Sequence, residues 1–233
     1  MELKNVAFIG RTYEEYMAMF DLEEKIFTRG GPVLDCPAGP SSFTAEACTR
    51  GCQATACDIL YTGGLYDLTL RELETRGRQD LAVIGQKLEG ISHLFRWGYY
   101  GDKEGHMGHR NAALSRFLAD YRDGVKKGRY VHAELPRLPF ADRSFALVLS
   151  SHFLFLYGDR LSPGFHAESL KEMSRVSSGE VRVYPIQGLD AKPYPHMDVV
   201  LKLLELGGIR AEIRPTPFEF FRGANRMLVL KAG

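Results

Sequence analysis

The sequence predicts an α/β fold: a doubly wound, mostly parallel sheet with an antiparallel last strand and a helical insertion. Three observations carry this expectation. Short apolar runs of strand length alternate with segments whose apolar residues recur at helical spacing. The run SFALVLSS is continuously apolar, as a central strand buried on both faces would be. No helical pattern separates the last two strand candidates, IRAEIRP and RMLVLKA, so these pair antiparallel.

Taken in order, residues 11–27 place Tyr13, Tyr16, Met17 and Phe20 on one face, which predicts an amphipathic helix, and Gly30, Gly31 and Pro32 end it. Val33 and Leu34 then form a short strand closing on Asp35, the segment CPAGPSS turns, and FTAEACTR reads as helix. The strand QATACDI delivers Asp58, and helix follows through TGGLYDLTLRELETRGRQD. Residues 81–127 stay helical but irregular, with RWGYYGDKEGHMGHR as a loop between helices. A structureless connection of that length is improbable inside a compact domain, which predicts an inserted helical lid. RYVHAE and SFALVLSS resume the strands, HAESLKEMSRV is a helix stopped by SSG, EVRVYPI is a strand, and the helix MDVVLKLLEL ends at Gly207 and Gly208. The organisation expected is one domain over 1–233, with residues 1–29 as an N-terminal helical cap.

The chain has 233 residues, 45% of them hydrophobic and 25% charged, which is enough apolar material for a sizeable core. With 30 Lys plus Arg against 29 Asp plus Glu, no global field recruits nucleic acid or an anionic membrane. Met1 to Gly10 lacks the apolar core of a signal peptide, and no stretch reaches the roughly 20 apolar residues of a membrane span, so a cytoplasmic address is expected. Cys36, Cys48, Cys52 and Cys57 crowd one stretch, but no second CxxC or paired His accompanies them, and thiols rather than a zinc site are expected.

In a doubly wound sheet the ligand lies outside the strand C-termini where strand order reverses, so the first strand ends are the places to search. Asp35 closes the first and precedes the tight turn Cys36-Pro37-Ala38-Gly39-Pro40, where Gly39 permits close backbone approach. Asp58 lies 23 positions later, near the roughly 20-residue spacing at which a second-strand acid accepts hydrogen bonds from ribose hydroxyls. The pair describes a nucleoside pocket. The loop is not GxGxxG, the pattern that seats a pyrophosphate, and an acidic strand end suits a cationic ligand such as S-adenosylmethionine.

Through VLDCPAGPSSF, ACDI, ELPRLPFADRSFALVLSSHFLF and LKEMSRV, the chain resembles the class I S-adenosylmethionine-dependent methyltransferases over roughly residues 30–185. That resemblance implies a Rossmann-like fold and S-adenosyl-L-methionine as cofactor. It implies that Asp35 and Gly39, in the loop with Cys36 and Pro37, hold the methionine part, and that Asp58, beside Ile59, holds the ribose. Glu134 with Leu135 would contact adenine, and Ser150 and Ser151 would face the sulfonium. The sequence departs from the family in two places: the glycine-rich loop is Pro- and Ser-rich, and Ala146 replaces the Asp after the Ser-Phe pair.

Methyl transfer is an in-line displacement in which positioning supplies much of the rate, and a general base is needed only for weakly acidic acceptors. His152, directly after the fourth strand, is the candidate base. Tyr13, Tyr16, Tyr99 and Arg222 are candidate acceptor contacts, Arg222 as a clamp on an acidic group. Asp102, Glu104, His106 and His109 form a second polar cluster, but Gly105 and Gly108 argue for a loop and against a metal. The expected partner is a small-molecule methyl acceptor. The alternatives are a non-catalytic S-adenosylmethionine- or S-adenosylhomocysteine-binding module, and a protein or RNA methyltransferase.

Overall fold

The computed structural model describes residues 6–25, 30–64 and 68–231. A seven-stranded sheet runs β1 (Val33–Asp35), β2 (Ala54–Asp58), β3 (Tyr130–His132), β4 (Phe145–Ser151), β5 (Ser177–Tyr184), β6 (Arg210–Pro215) and β7 (Arg226–Lys231), in the spatial order β3-β2-β1-β4-β5-β7-β6. β1 to β5 pair parallel, and β7 pairs antiparallel with both β5 and β6. Strand order reverses between β1 and β4, which makes their C-terminal ends the switch point. This is the Rossmann-like doubly wound sheet expected, with the antiparallel last strand inserted between β5 and β6 rather than at the edge.

The helices are α1 (Tyr13–Met19), α2 (Phe43–Thr49), α3 (Leu70–Gly90), α4 (Lys103–Lys126), α5 (Pro163–Val176) and α6 (Met197–Leu206). Side chains alternate across the sheet. Leu34, Val148, Val181 and Leu228 face Leu170, Met173 and Val200 of α5 and α6, whereas Val33, Leu147, Leu149 and Val229 face Tyr16 and Phe43 of α1 and α2. α3 and α4 pack with Ala56 and Tyr130 through Leu73, Leu114 and Phe117. Among the described residues no helix is long and apolar enough to cross a membrane.

Several boundaries differ from the sequence reading. The helix expected over 11–27 spans only Tyr13–Met19: Thr12 and Glu15 form a capping box at its start, and Asp21 sits at φ 48 just beyond its end. Residues 6–12 form no regular element, and residues 1–5 and 26–29 of the predicted cap lie outside the described residues. The helix after β2 begins at Leu70, where Thr69 and Glu72 make a second capping box, while residues 65–67 lie outside the described residues. Position 81, where the sequence places the start of the insertion, falls midway along α3. The segment expected as a loop through Arg110 becomes helix at Lys103, because Asp102 accepts the Gly105 N–H at 2.8 Å. Gly105 is required there by packing, since a Cβ would come within 2.0 Å of the Tyr100 carbonyl oxygen.

α1 is tied to α4 by a buried ion pair. Arg110 of α4 donates to Glu15 of α1, both side chains fully buried, and Glu15 also accepts from the Tyr100 hydroxyl. Arg110 donates to the Gly10 carbonyl at 2.5 Å as well. Removing one partner of such a pair strands the other charge in the interior. Glu15→Ala is expected to cost about 3–5 kcal/mol and lower the thermal midpoint by on the order of 10 °C. Glu15→Leu combined with Arg110→Met recovers part of that loss, as read by thermal denaturation.

Candidate functional site

A cleft open at its mouth lies at the switch point, with about 890 Å³ of space when the adjoining solvent is included. Asp35 is fully buried behind Tyr16 and Cys36 and does not itself line the cleft. Its carboxyl accepts the Tyr16 hydroxyl at 2.9 Å and the Ser41 hydroxyl at 3.0 Å. Burial nonetheless pushes its pKa up to about 8, because two donated hydrogen bonds do not replace the lost water.

The loop after β1 is held by side chains instead of glycines. Asp58 accepts the Gly39 N–H at 2.9 Å and the Leu60 N–H at 3.0 Å, and the Tyr61 hydroxyl donates to the Gly39 carbonyl at 2.5 Å. Ser41 accepts the Phe43 N–H at 3.1 Å, and the Ser42 N–H donates to the Arg11 carbonyl. Only Gly39 of this loop takes a positive φ, 54°. Burial raises the Asp58 pKa, while the two amide N–H groups and nearby His132 act against that rise.

The structure brings Tyr16, Cys36, Pro37, Gly39, Asp58 and Ile59 to the cleft wall, together with Glu134, Leu135, Ser151 and His152. Glu134 is exposed on the rim. Ser150 is fully buried with its hydroxyl unpartnered, behind the wall because it points to the opposite side of β4 from Ser151. His152 has φ 54, an uncommon conformation for a residue with a Cβ, which turns its ring into the cleft. Its Nδ1 is 2.8 Å from the Ser151 hydroxyl, and its N–H donates to the Tyr184 carbonyl at 2.7 Å. Burial holds its pKa well below 6.5, helped by the positive charges of Arg11 and Arg110, so the imidazole is neutral.

Three predicted acceptor contacts are not at the cleft. Tyr13 is buried, stacked on Phe43 at 5.9 Å beneath the Arg50 guanidinium. Tyr99 packs edge-on against Tyr100 and Phe218, both at 4.9 Å. Arg222 donates to the His93 carbonyl at 2.8 Å, joining the α3–α4 connection to the β6–β7 loop. His106 is buried and stacks on Phe220 at 4.6 Å. Among the described residues no group of His, Cys, Asp or Glu is placed to hold a metal ion, and the four cysteines are free thiols.

The sequence reading missed the N-terminal wall of the cleft. Val6, Ala7, Phe8, Ile9 and Arg11 line it. The Phe8 N–H donates to Asp80 of α3 at 2.7 Å, the Ala7 N–H donates to the Tyr157 hydroxyl at 3.0 Å, and Arg76 of α3 donates to the Val6 carbonyl at 2.8 Å. Nothing local marks this stretch, because its partners lie 70 or more positions away.

Fold and site define a Rossmann-like α/β protein with an acid-flanked cleft at the sheet's switch point. No family model matches the chain. It belongs to the same family as the uncharacterized protein MJ0045 of Methanocaldococcus jannaschii, with 31% identity over 232 residues, covering 99% of this chain and 98% of that relative. Solved structures of similar fold include a SAM-dependent methyltransferase from Aquifex aeolicus, at 13% identity over 94% of this chain and 92% of that one, with a TM-score of 0.43. Another is a putative S-adenosyl-L-methionine-dependent methyltransferase from Methanococcus maripaludis, at 13% identity over 94% and 89%, with a TM-score of 0.47.

His106, buried outside the cleft against Phe220, gives the fold a measurable pH signature. Burial drives its pKa from 6.5 to about 3, so between those values the unfolded chain binds more protons than the folded one. The stability carried by neutral His106 is therefore lost as pH falls below 6.5. His106→Phe, which keeps the stack on Phe220, should flatten the acid limb of a denaturation-midpoint series between pH 7 and pH 4.

Proposed function

We propose that this protein is a methyltransferase that takes its methyl group from S-adenosylmethionine and passes it to a small-molecule acceptor. The observation that carries the reading is the cleft's β2–β3 flank, where Asp58 and Glu134 face the same space with no cationic side chain among the residues lining that flank. Such a wall suits ribose hydroxyls and an adenine amine, which donate hydrogen bonds, and disfavours the phosphates of a dinucleotide. Asp58 uses one hydrogen bond on each carboxylate oxygen internally, leaving further lone pairs for hydroxyl donors.

In this reading the loop Cys36–Gly39 carries the amino-acid end of the donor, with Asp35 as the charge beneath it. Ile59 and Leu135 flank the adenine. When bound, S-adenosylmethionine supplies an electrophilic methyl: the acceptor's lone pair forms the new bond to carbon as the carbon–sulfur bond breaks and its electrons go to sulfur, and an acceptor N–H or O–H proton leaves to solvent. His152, neutral and anchored through Nδ1 to Ser151, accepts a hydrogen bond from the acceptor and aims its lone pair at the methyl. A strongly depressed pKa makes it a poor proton store, so its contribution is alignment. The near-zero net charge and the enclosure of the cleft by residues 6–11 favour a small acceptor over RNA. The four thiols accord with a reducing, cytoplasmic setting.

Calorimetry with S-adenosylmethionine and S-adenosylhomocysteine tests the donor site. Wild type is expected to bind both, and Asp58→Ala and Glu134→Ala are each expected to weaken binding by roughly tenfold, the scale of one or two lost hydrogen bonds. Absence of binding by wild type overturns the reading. Unchanged affinity in both variants overturns the ribose and adenine assignments.

Asp35 gives a second test. With its pKa near 8, the carboxyl is mostly protonated at pH 7, and a cation bound above it favours the ionised form. Binding of S-adenosylmethionine at pH 7 should release a fraction of a proton, seen as a dependence of the calorimetric heat on buffer ionisation enthalpy. Affinity should rise with pH up to about 8 and then level. The neutral 5′-methylthioadenosine should release none.

A further inference from the structure

Among the described residues, the cleft wall carries a cation that the donor assignment does not use. Arg11 lies between the N-terminal segment and α1, half-buried and facing the cleft. Both of its protein hydrogen bonds come from a single nitrogen, Nη1, to the neighbouring carbonyls of Ile9 at 3.4 Å and Gly10 at 3.2 Å. Among the described residues no carboxylate pairs with it, whereas Arg110, the next arginine inward, is neutralised by Glu15. A guanidinium stays ionised in proteins, and leaving one partly desolvated without an anion is unfavourable. Its Nε and Nη2 donors therefore call for an acceptor that the chain itself does not provide.

The topology says on which flank that acceptor sits. Asp58 ends β2, and Glu134 follows β3, on one side of β1. The groups that feel the Arg11 charge lie mostly on the other side: Tyr184 ends β5, His152 and Tyr157 follow β4, and Tyr100 and His106 belong to the α3–α4 connection and α4, while Tyr16 of α1 stands over β1. None of these neighbours is an anion, so among the described residues no element packed around Arg11 balances its charge.

We propose that Arg11 is the docking point for a carboxylate on the methyl acceptor, holding the acceptor over β4 and β5 with its nucleophilic atom beside His152. The proposal rests on the methyl-transfer reading and narrows it to an acidic acceptor. A planar carboxylate matches the fork of Nε and Nη2, which fixes direction as well as position. The aromatic wall of Tyr16 and Phe153 then bounds an acceptor whose remaining body is apolar.

The test uses the full chain saturated with S-adenosylhomocysteine, and compares the binding of benzoate, acetate and succinate with that of their neutral amides by ligand-observed NMR. Wild type is expected to prefer at least one acid over its amide by tenfold or more. Arg11→Met should abolish the preference, and Arg11→Lys should retain part of it. Thermal midpoints of both variants confirm folding, and their affinity for S-adenosylhomocysteine should stay within about twofold of wild type. If Arg11→Met instead weakens S-adenosylhomocysteine tenfold while leaving 5′-methylthioadenosine unaffected, the guanidinium holds the donor's own carboxylate and the proposal is overturned. Equal binding of acids and amides by wild type also overturns it and leaves the donor reading intact. Failure of wild type to bind S-adenosylhomocysteine removes both.

Discussion

The buried pairing of Glu15 with Arg110 is the constraint on which the shape of the cleft depends. An ion pair removed from water returns little net energy unless its remaining hydrogen-bonding positions are filled. Here they largely are: Glu15 also accepts the Thr12 N–H at 2.7 Å and the Tyr100 hydroxyl, and Arg110 reaches the Gly10 carbonyl. Each added bond recruits a different piece of chain. The pair thereby fastens the N-terminal segment, α1 and the α3–α4 connection into one roof.

That roof is locked to the floor by backbone contact. Gly10 lies so close to the loop after β1 that a Cβ would stand 1.9 Å from the Pro40 carbonyl oxygen, and the Ser42 N–H donates to the Arg11 carbonyl at 3.0 Å. The loop is then shaped by what presses on it as much as by its own residues. This explains how a Pro- and Ser-rich segment does the work of a glycine-rich one: Asp58 and Tyr61 fix Gly39 from below, and Gly10 fixes Pro40 from above. Low dielectric follows from the same closure, and it raises the Asp35 pKa and depresses that of His152 in one stroke.

What the sequence made legible were features with local causes. Strand ends carrying Asp35 and Asp58, the apolar run of β4 and the antiparallel β6–β7 pair all follow from periodicity and turn chemistry within a dozen residues. The missed features have distant causes. Arg11 and Phe8 join the site through α3, α4 and Tyr157, none of which the stretch VAFIGRT foreshadows. Gly105 and Gly108 argued for a loop by propensity, yet the cap from Asp102 and the press of the Tyr100 carbonyl overrode it. Tyr13, Tyr99 and Arg222 were plausible by residue type alone, and type does not say which side of a short helix or loop faces inward.

The charges around the cleft follow an order that the sheet imposes. The acidic side chains sit at or after the ends of β1, β2 and β3, while neutral His152 follows β4 and Arg11 stands near it and near Tyr184 at the end of β5. A cationic, nucleoside-bearing ligand and an anionic one would therefore settle on opposite flanks, meeting over the β1–β4 switch point. In the proposed reaction, a cationic donor and an anionic acceptor on those two flanks would attract each other across the switch point. In that reading the neutrality of His152 matters, because a protonated imidazole beside Arg11 would compete for the anion.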